Sequence, residues 1–74
     1  MTGRLPRLAA KDLIRILRKN GFVLFSSRGS HQHFVHPAKK MKVTIPVHAG
    51  KIIGPGLMKS ILKQAEIDES EIRK

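Results

Sequence analysis

A chain of 74 residues supports one domain with a small core, and without cysteine that core has no disulfide or thiolate-metal staple. Fifteen Lys and Arg against five Asp and Glu give a formal charge of +10. Self-repulsion of that size is costly without a polyanionic partner, and nucleic acid ranks ahead of an anionic membrane surface. No apolar run reaches the roughly 18 residues of a spanning helix. Residues 1–11 are basic and lack the apolar segment of a signal peptide, so a cytoplasmic protein with no membrane partner is expected.

Residues 8–20 read as a helix. Leu13, Ile14 and Leu17 share one face with Ala10 a turn earlier, while Lys11, Arg15 and Arg18 follow a neighbouring face. Asn20 and Gly21 are a stop signal, because both tolerate a left-handed backbone. Residues 22–27 are rich in strand formers, and Arg28, Gly29 and Ser30 make a tight turn. Residues 31–36 form a second strand, ended by Pro37. After a loop at Ala38, Lys39 and Lys40 comes a third strand, 41–45, in which Met41, Val43 and Ile45 alternate with Lys42 and Thr44. Connections this short favour an antiparallel meander.

Residues 47–54 read as a loop holding His48, Gly50 and Lys51, and Pro55 suits the first position of a second helix. Its apolar stripe is Leu57, Met58, Ile61, Leu62 and Ala65, with Lys59 and Lys63 on the other side. Asp68 is placed to cap a short final turn over 69–73 that is free to fray. Four of the five acids fall in residues 66–74, so that tail sums to −2 and residues 1–65 carry +12. No repeat or domain boundary interrupts the chain, which is expected to be one domain over 1–74. The order α-β-β-β-α predicts an α+β fold, a three-stranded antiparallel sheet with both helices on one face. This is the arrangement of double-stranded-RNA-binding domains, and order alone does not establish function.

Two segments carry a resemblance. Arg28-Gly29-Ser30-His31-Gln32-His33-Phe34-Val35-His36-Pro37 resembles the signature of the HicA (YcfA-like) toxin family, a Gly-Ser-His followed by an aromatic and then His-Pro. The stretch from Val43-Thr44-Ile45-Pro46-Val47-His48-Ala49-Gly50-Lys51, through Pro55-Gly56-Leu57 to Ala65, is similar to the family's second half. The likeness spans roughly residues 8–66. It implies a toxin of a type II toxin–antitoxin pair, a double-stranded-RNA-binding-like fold, cleavage of mRNA without a metal or other cofactor, and silencing by a HicB-type antitoxin. The family's functional histidine corresponds to His31. The chain departs from the family at Gln32, where many members carry a second histidine, and at Glu66-Ile67, where many end the second helix with Gly-Leu.

Strand alternation puts His31, His33 and Val35 on one face and Gln32, Phe34 and His36 on the other. With Phe34 in the core, His31 and His33 face solvent. Spacing alone leaves His31 either a polar turn residue or a proton-transfer group. The resemblance implies the second, with His31 as general acid or base acting on RNA, which carries its own nucleophile in the 2′-hydroxyl. Arg28, Ser30, His33, Lys42, His48, Lys51, Lys59 and Lys63 are the candidate RNA-binding residues, with Lys39 and Lys40 as further phosphate contacts. His31 and His33 could chelate a metal with His36 or His48, but no thiolate or nearby carboxylate supports such a site and none is assigned. His36 reads as structural. Three Phe and no Trp or Tyr argue against a base-stacking platform. The antitoxin is expected to be acidic and to cover His31 or the lysines around it, with the second helix, where Lys59 and Lys63 stand beside Leu57 and Ile61, as a docking edge and little contribution from the acidic tail. The alternatives are a non-catalytic RNA-binding module of the same fold and a partner-binding domain whose basic face meets an acidic protein.

Overall fold

The computed structural model describes residues 7–47 and 52–72. Its elements run β1 (Leu8–Ala9), α1 (Ala10–Lys19), β2 (Val23–Arg28), β3 (His31–His36), β4 (Met41–Pro46), β5 (Ile52–Ile53), α2 (Pro55–Ala65) and a closing 3-10 turn, Glu69–Glu71. Strands β2, β3 and β4 form an antiparallel meander with β3 in the centre. The apolar stripes of the helices, Leu13 and Leu17 from α1 and Met58, Ile61, Leu62 and Ala65 from α2, close with Phe34, Val43 and Ile45 of the sheet into one core. The domain is therefore α+β, with both helices on one face of a three-stranded sheet, as the apolar spacing requires.

Two short strands were not anticipated. Leu8 and Ala9 pair with Ile53 and Ile52, so α1 begins at Ala10 rather than at residue 8. This antiparallel clip ties together the chain entering α1 and the chain entering α2, and part of the stretch expected as loop is strand β5. Two-residue strands leave no periodicity to detect, because alternation needs about four residues to register.

Both helices end in the same hydrogen-bonded cap. At α1, the Phe22 amide donates to the Leu17 carbonyl at 3.0 Å and the Gly21 amide to Arg18 at 3.1 Å. At α2, the Ile67 amide donates to Leu62 at 2.9 Å and the Glu66 amide to Lys63 at 3.2 Å. These are Schellman motifs, each closed by an apolar pair, Leu17 with Phe22 and Leu62 with Ile67, and all four residues are buried. The cap also explains why β2 starts at Val23: the Phe22 amide is committed to the helix end. The motif demands a left-handed residue, which is Gly21 at φ +94° in the first case and Glu66 at φ 56° in the second. At Gly21 a side chain is doubly disfavoured, since a Cβ would stand 2.7 Å from Nε2 of His36. At Glu66 the departure from the family's Gly-Leu ending has a direct energetic meaning, for a carboxylate residue holds a conformation that glycine adopts without strain. Glu66→Gly is accordingly expected to raise unfolding stability by about 1 kcal/mol, read from urea denaturation. A neutral or destabilising result would show that Glu66 is held there by compensating contacts.

The C-terminal turn is docked rather than frayed. The Asp68 carboxylate accepts the Ser70 amide at 2.8 Å, and Ile72 packs into the core beside Ile67. Hydrogen bonds from the Ser70 backbone and then its side chain hold the Asp68 carboxyl below its ordinary range. A lowered carboxyl stabilises the fold above its unfolded pKa, and this contribution is lost as pH falls through the lowered value.

Candidate nucleic-acid interface

The face of the sheet turned away from the helices is built in three rows. Residues directly opposite one another in adjacent strands share a face. Register therefore gives the rows Arg28–His31–Pro46, Ser26–His33–Thr44 and Val23–Val35–Lys42, with β3 supplying the middle member each time. The opposite face, on which the helices pack, carries Ser27–Gln32–Ile45 and Leu24–Phe34–Val43, and its β2 edge stays open, with Leu24 45% exposed. Phe34 is fully buried and His31 exposed, as the alternation of β3 predicts.

Arg28 reaches His31 only because β2 is irregular. Counting strictly by twos from Leu24, which pairs with Phe34, would turn Ser26 and Arg28 to the Phe34 face as well. Register shifts between Leu24 and Ser26, where Phe25 is the extra residue of a β-bulge. The bulge resets the alternation and brings Ser26 and Arg28 beside His33 and His31. It also leaves Phe25 65% exposed on the outer face, with the Lys42 ammonium 5.8 Å from its ring centroid. Phe25, Ser26, His33, Lys42 and Thr44 line one shallow depression there.

The histidines have separate environments. His31 opens β3 just after the Gly29–Ser30 turn, in which Gly29 takes a positive φ. The turn is tied to the end of β4 by a hydrogen bond from the Val47 amide to the Ser30 carbonyl. His33 is oriented by a 2.8 Å hydrogen bond between Nδ1 and the Thr44 hydroxyl. His36 faces the other way. Its Nδ1 accepts the Lys39 amide at 3.1 Å, its ring meets Phe22 edge-on at 5.2 Å, and it closes over Gly21. The structural reading of His36 is thus supported, and His36 does not converge with His31 and His33. Gln32 also lies on the helix side, so its departure from the family pattern leaves the outer face unchanged.

Of the sequence candidates, Arg28, Ser30, His31, His33 and Lys42 come together on or at the edge of this face. Lys59 and Lys63 are exposed on α2, in the layer on the other side of the sheet. Lys39 and Lys40 occupy the β3–β4 turn, at the end of the strand remote from His31. His48 and Lys51 lie outside the described residues. Ile61 is buried and cannot join Lys59 and Lys63 in a docking edge, whereas Leu57 is 43% exposed. Phe25 was missed; the signal available in the sequence was an aromatic in a strand whose neighbours Val23 and Leu24 are also apolar, which alternation alone does not assign to a face. No carboxylate belongs to the three rows. Asp12 is on α1, and the remaining acids follow α2.

A basic, acid-free sheet face backed by two helices defines the chain as a double-stranded-RNA-binding-like domain with an open, histidine-bearing surface. The family model for the HicA toxin of bacterial toxin–antitoxin systems matches residues 10–67, and the chain belongs to that family. The match begins at the first residue of α1 and ends at Ile67, which closes the cap of α2, so it covers both helices and the whole three-stranded sheet. Comparison with curated proteins found no match. Membership of the family implies toxin activity, an RNA substrate and an antitoxin partner. Among the described residues no helix is long and apolar enough to cross a membrane.

Proposed function

We propose that this protein is an endoribonuclease toxin that cleaves mRNA through His31 without a metal and is silenced by a HicB-type antitoxin. The observation that carries the reading is the first row of the open face, where exposed His31 stands directly opposite Arg28 in a chain of the HicA family. The imidazole of His31 accepts the proton of a ribose 2′-hydroxyl. The O2′–P bond forms as the P–O5′ bond breaks, and a proton returned from the imidazole leaves with O5′. Charge gathers on the phosphoryl oxygens in the transition state, where a guanidinium one strand away stabilises it. His33, held by Thr44, and Lys42 bind the neighbouring part of the chain.

An acidic antitoxin blocks this site by covering the outer sheet face. Docking confined to α2 would leave His31 open, since Lys59 and Lys63 belong to the opposite layer. The test of the reaction is the chemistry of its ends. Incubation of RNA with the protein in excess chelator is expected to yield 2′,3′-cyclic or 3′-phosphate ends and 5′-hydroxyl ends. Cleavage that stops with chelator, or leaves 3′-hydroxyl ends, would overturn the mechanism.

A further inference from the structure

We propose that Phe25, Lys42 and His33 form a seat for one unpaired RNA base, making the protein selective for single-stranded RNA at its cleavage site. The inference rests on the ribonuclease reading above and adds the form of its substrate. Among the described residues Phe25 is the most exposed of the large apolar side chains, at 65%, and it stands on the face that also carries His31. A large apolar ring left in solvent gains from any flat partner that covers it, and a bulge at this position is what turns it outward.

The surroundings specify the partner. The Lys42 ammonium rests over the ring, 5.8 Å from its centroid, and on a flexible stem it swings off that face as a base stacks, to meet the phosphate of the same nucleotide. Ser26, His33 and Thr44 line the same depression with groups that hydrogen-bond to base edges. His33 is already oriented through Nδ1 by Thr44, leaving Nε2 for the ligand. The seat begins in the row next to Arg28–His31–Pro46, at His33 about 7 Å along β3 from His31 at ordinary strand rise, and extends to Lys42 in the third row. A nucleotide adjoining the scissile phosphate therefore places its base there. A base inside a duplex has both faces stacked and cannot use the ring, whereas an unpaired one can. Composition excludes an extended aromatic platform, and one ring suffices for one base.

The chain contains no Trp or Tyr, so Phe25→Trp introduces a single indole as a reporter. The probes are a short 2′-O-methyl RNA, which lacks the nucleophile and stays intact, its duplex, and an abasic strand of equal length. The indole is expected to be quenched by the unpaired probe and unchanged by the duplex and the abasic strand. Phe25→Ala is expected to weaken binding of the unpaired probe by about ten-fold or more while leaving abasic binding as it was. Parent-like affinity of Phe25→Ala for the unpaired probe, with binding still salt-sensitive, would overturn the base seat and leave the RNA reading standing. Failure of the parent protein to bind any of the strands would overturn both.

Discussion

His31→Ala is expected to lower RNA cleavage by about 10²-fold or more, the ordinary share of a positioned general acid or base. The loss should fall on the chemical step. His31 is exposed at the start of β3 and takes no part in the core, so its truncation leaves the packing of Phe34, Val43 and Ile45 intact. A surface change of this kind is expected to alter stability by no more than about 0.5 kcal/mol. Phosphate binding depends on several cations, so affinity for uncleavable RNA should stay within a few-fold of the parent. The measurement is single-turnover cleavage alongside urea denaturation and RNA affinity. In cells, induction of the parent should arrest growth and induction of His31→Ala should not. Full activity in the variant would remove His31 from the mechanism.

Much of the fold was legible because its elements are long enough to show a period. The stripes Leu13–Leu17 and Met58–Ile61–Leu62–Ala65 announce two helices, and the alternation Met41–Val43–Ile45 announces a half-buried strand. Features of one or two residues were not legible. The β1–β5 clip is set by pairing between residues more than forty positions apart, with no local signal at Leu8–Ala9. The bulge at Phe25 likewise arises from how β2 pairs with β3, and it decides which face Arg28 and Ser26 occupy. His31 and His33 could be placed without it, because β3 alternates regularly around Phe34. Charge was the least directional guide. Lys42 and Lys59 are equal in composition, yet the sheet stands between the surfaces that carry them. The tail shows the same gap: a final turn free to fray is the expectation, while Ile67 and Ile72, five residues apart, both pack into the core.

Phe34→Ala is expected to remove a large fraction of the stability of the domain. Phe34 is fully buried at the middle of the central strand, opposite Leu24 on one side and Val43 on the other, and it belongs to the core that receives both helices. Truncating a buried phenylalanine costs about 3–5 kcal/mol, through lost transfer energy and the cavity left behind. A domain of this size has roughly 4–11 kcal/mol in total at typical values per residue, so the loss is a large fraction of the whole. The urea midpoint should fall steeply, and RNA cleavage should fall with the folded fraction, because His31 and His33 hold their places only while β3 stays in the sheet. Phe25→Ala supplies the internal contrast. It truncates the same side chain nine residues earlier, on the open face, and should move the midpoint by no more than about 0.5 kcal/mol of stability. The two variants differ in face and burial but not in chemistry, so the gap between their midpoints measures the assignment of faces on which the placement of His31 depends. If Phe34→Ala stayed within about 1 kcal/mol of the parent, below the ordinary cost of a buried aromatic, that assignment would be wrong.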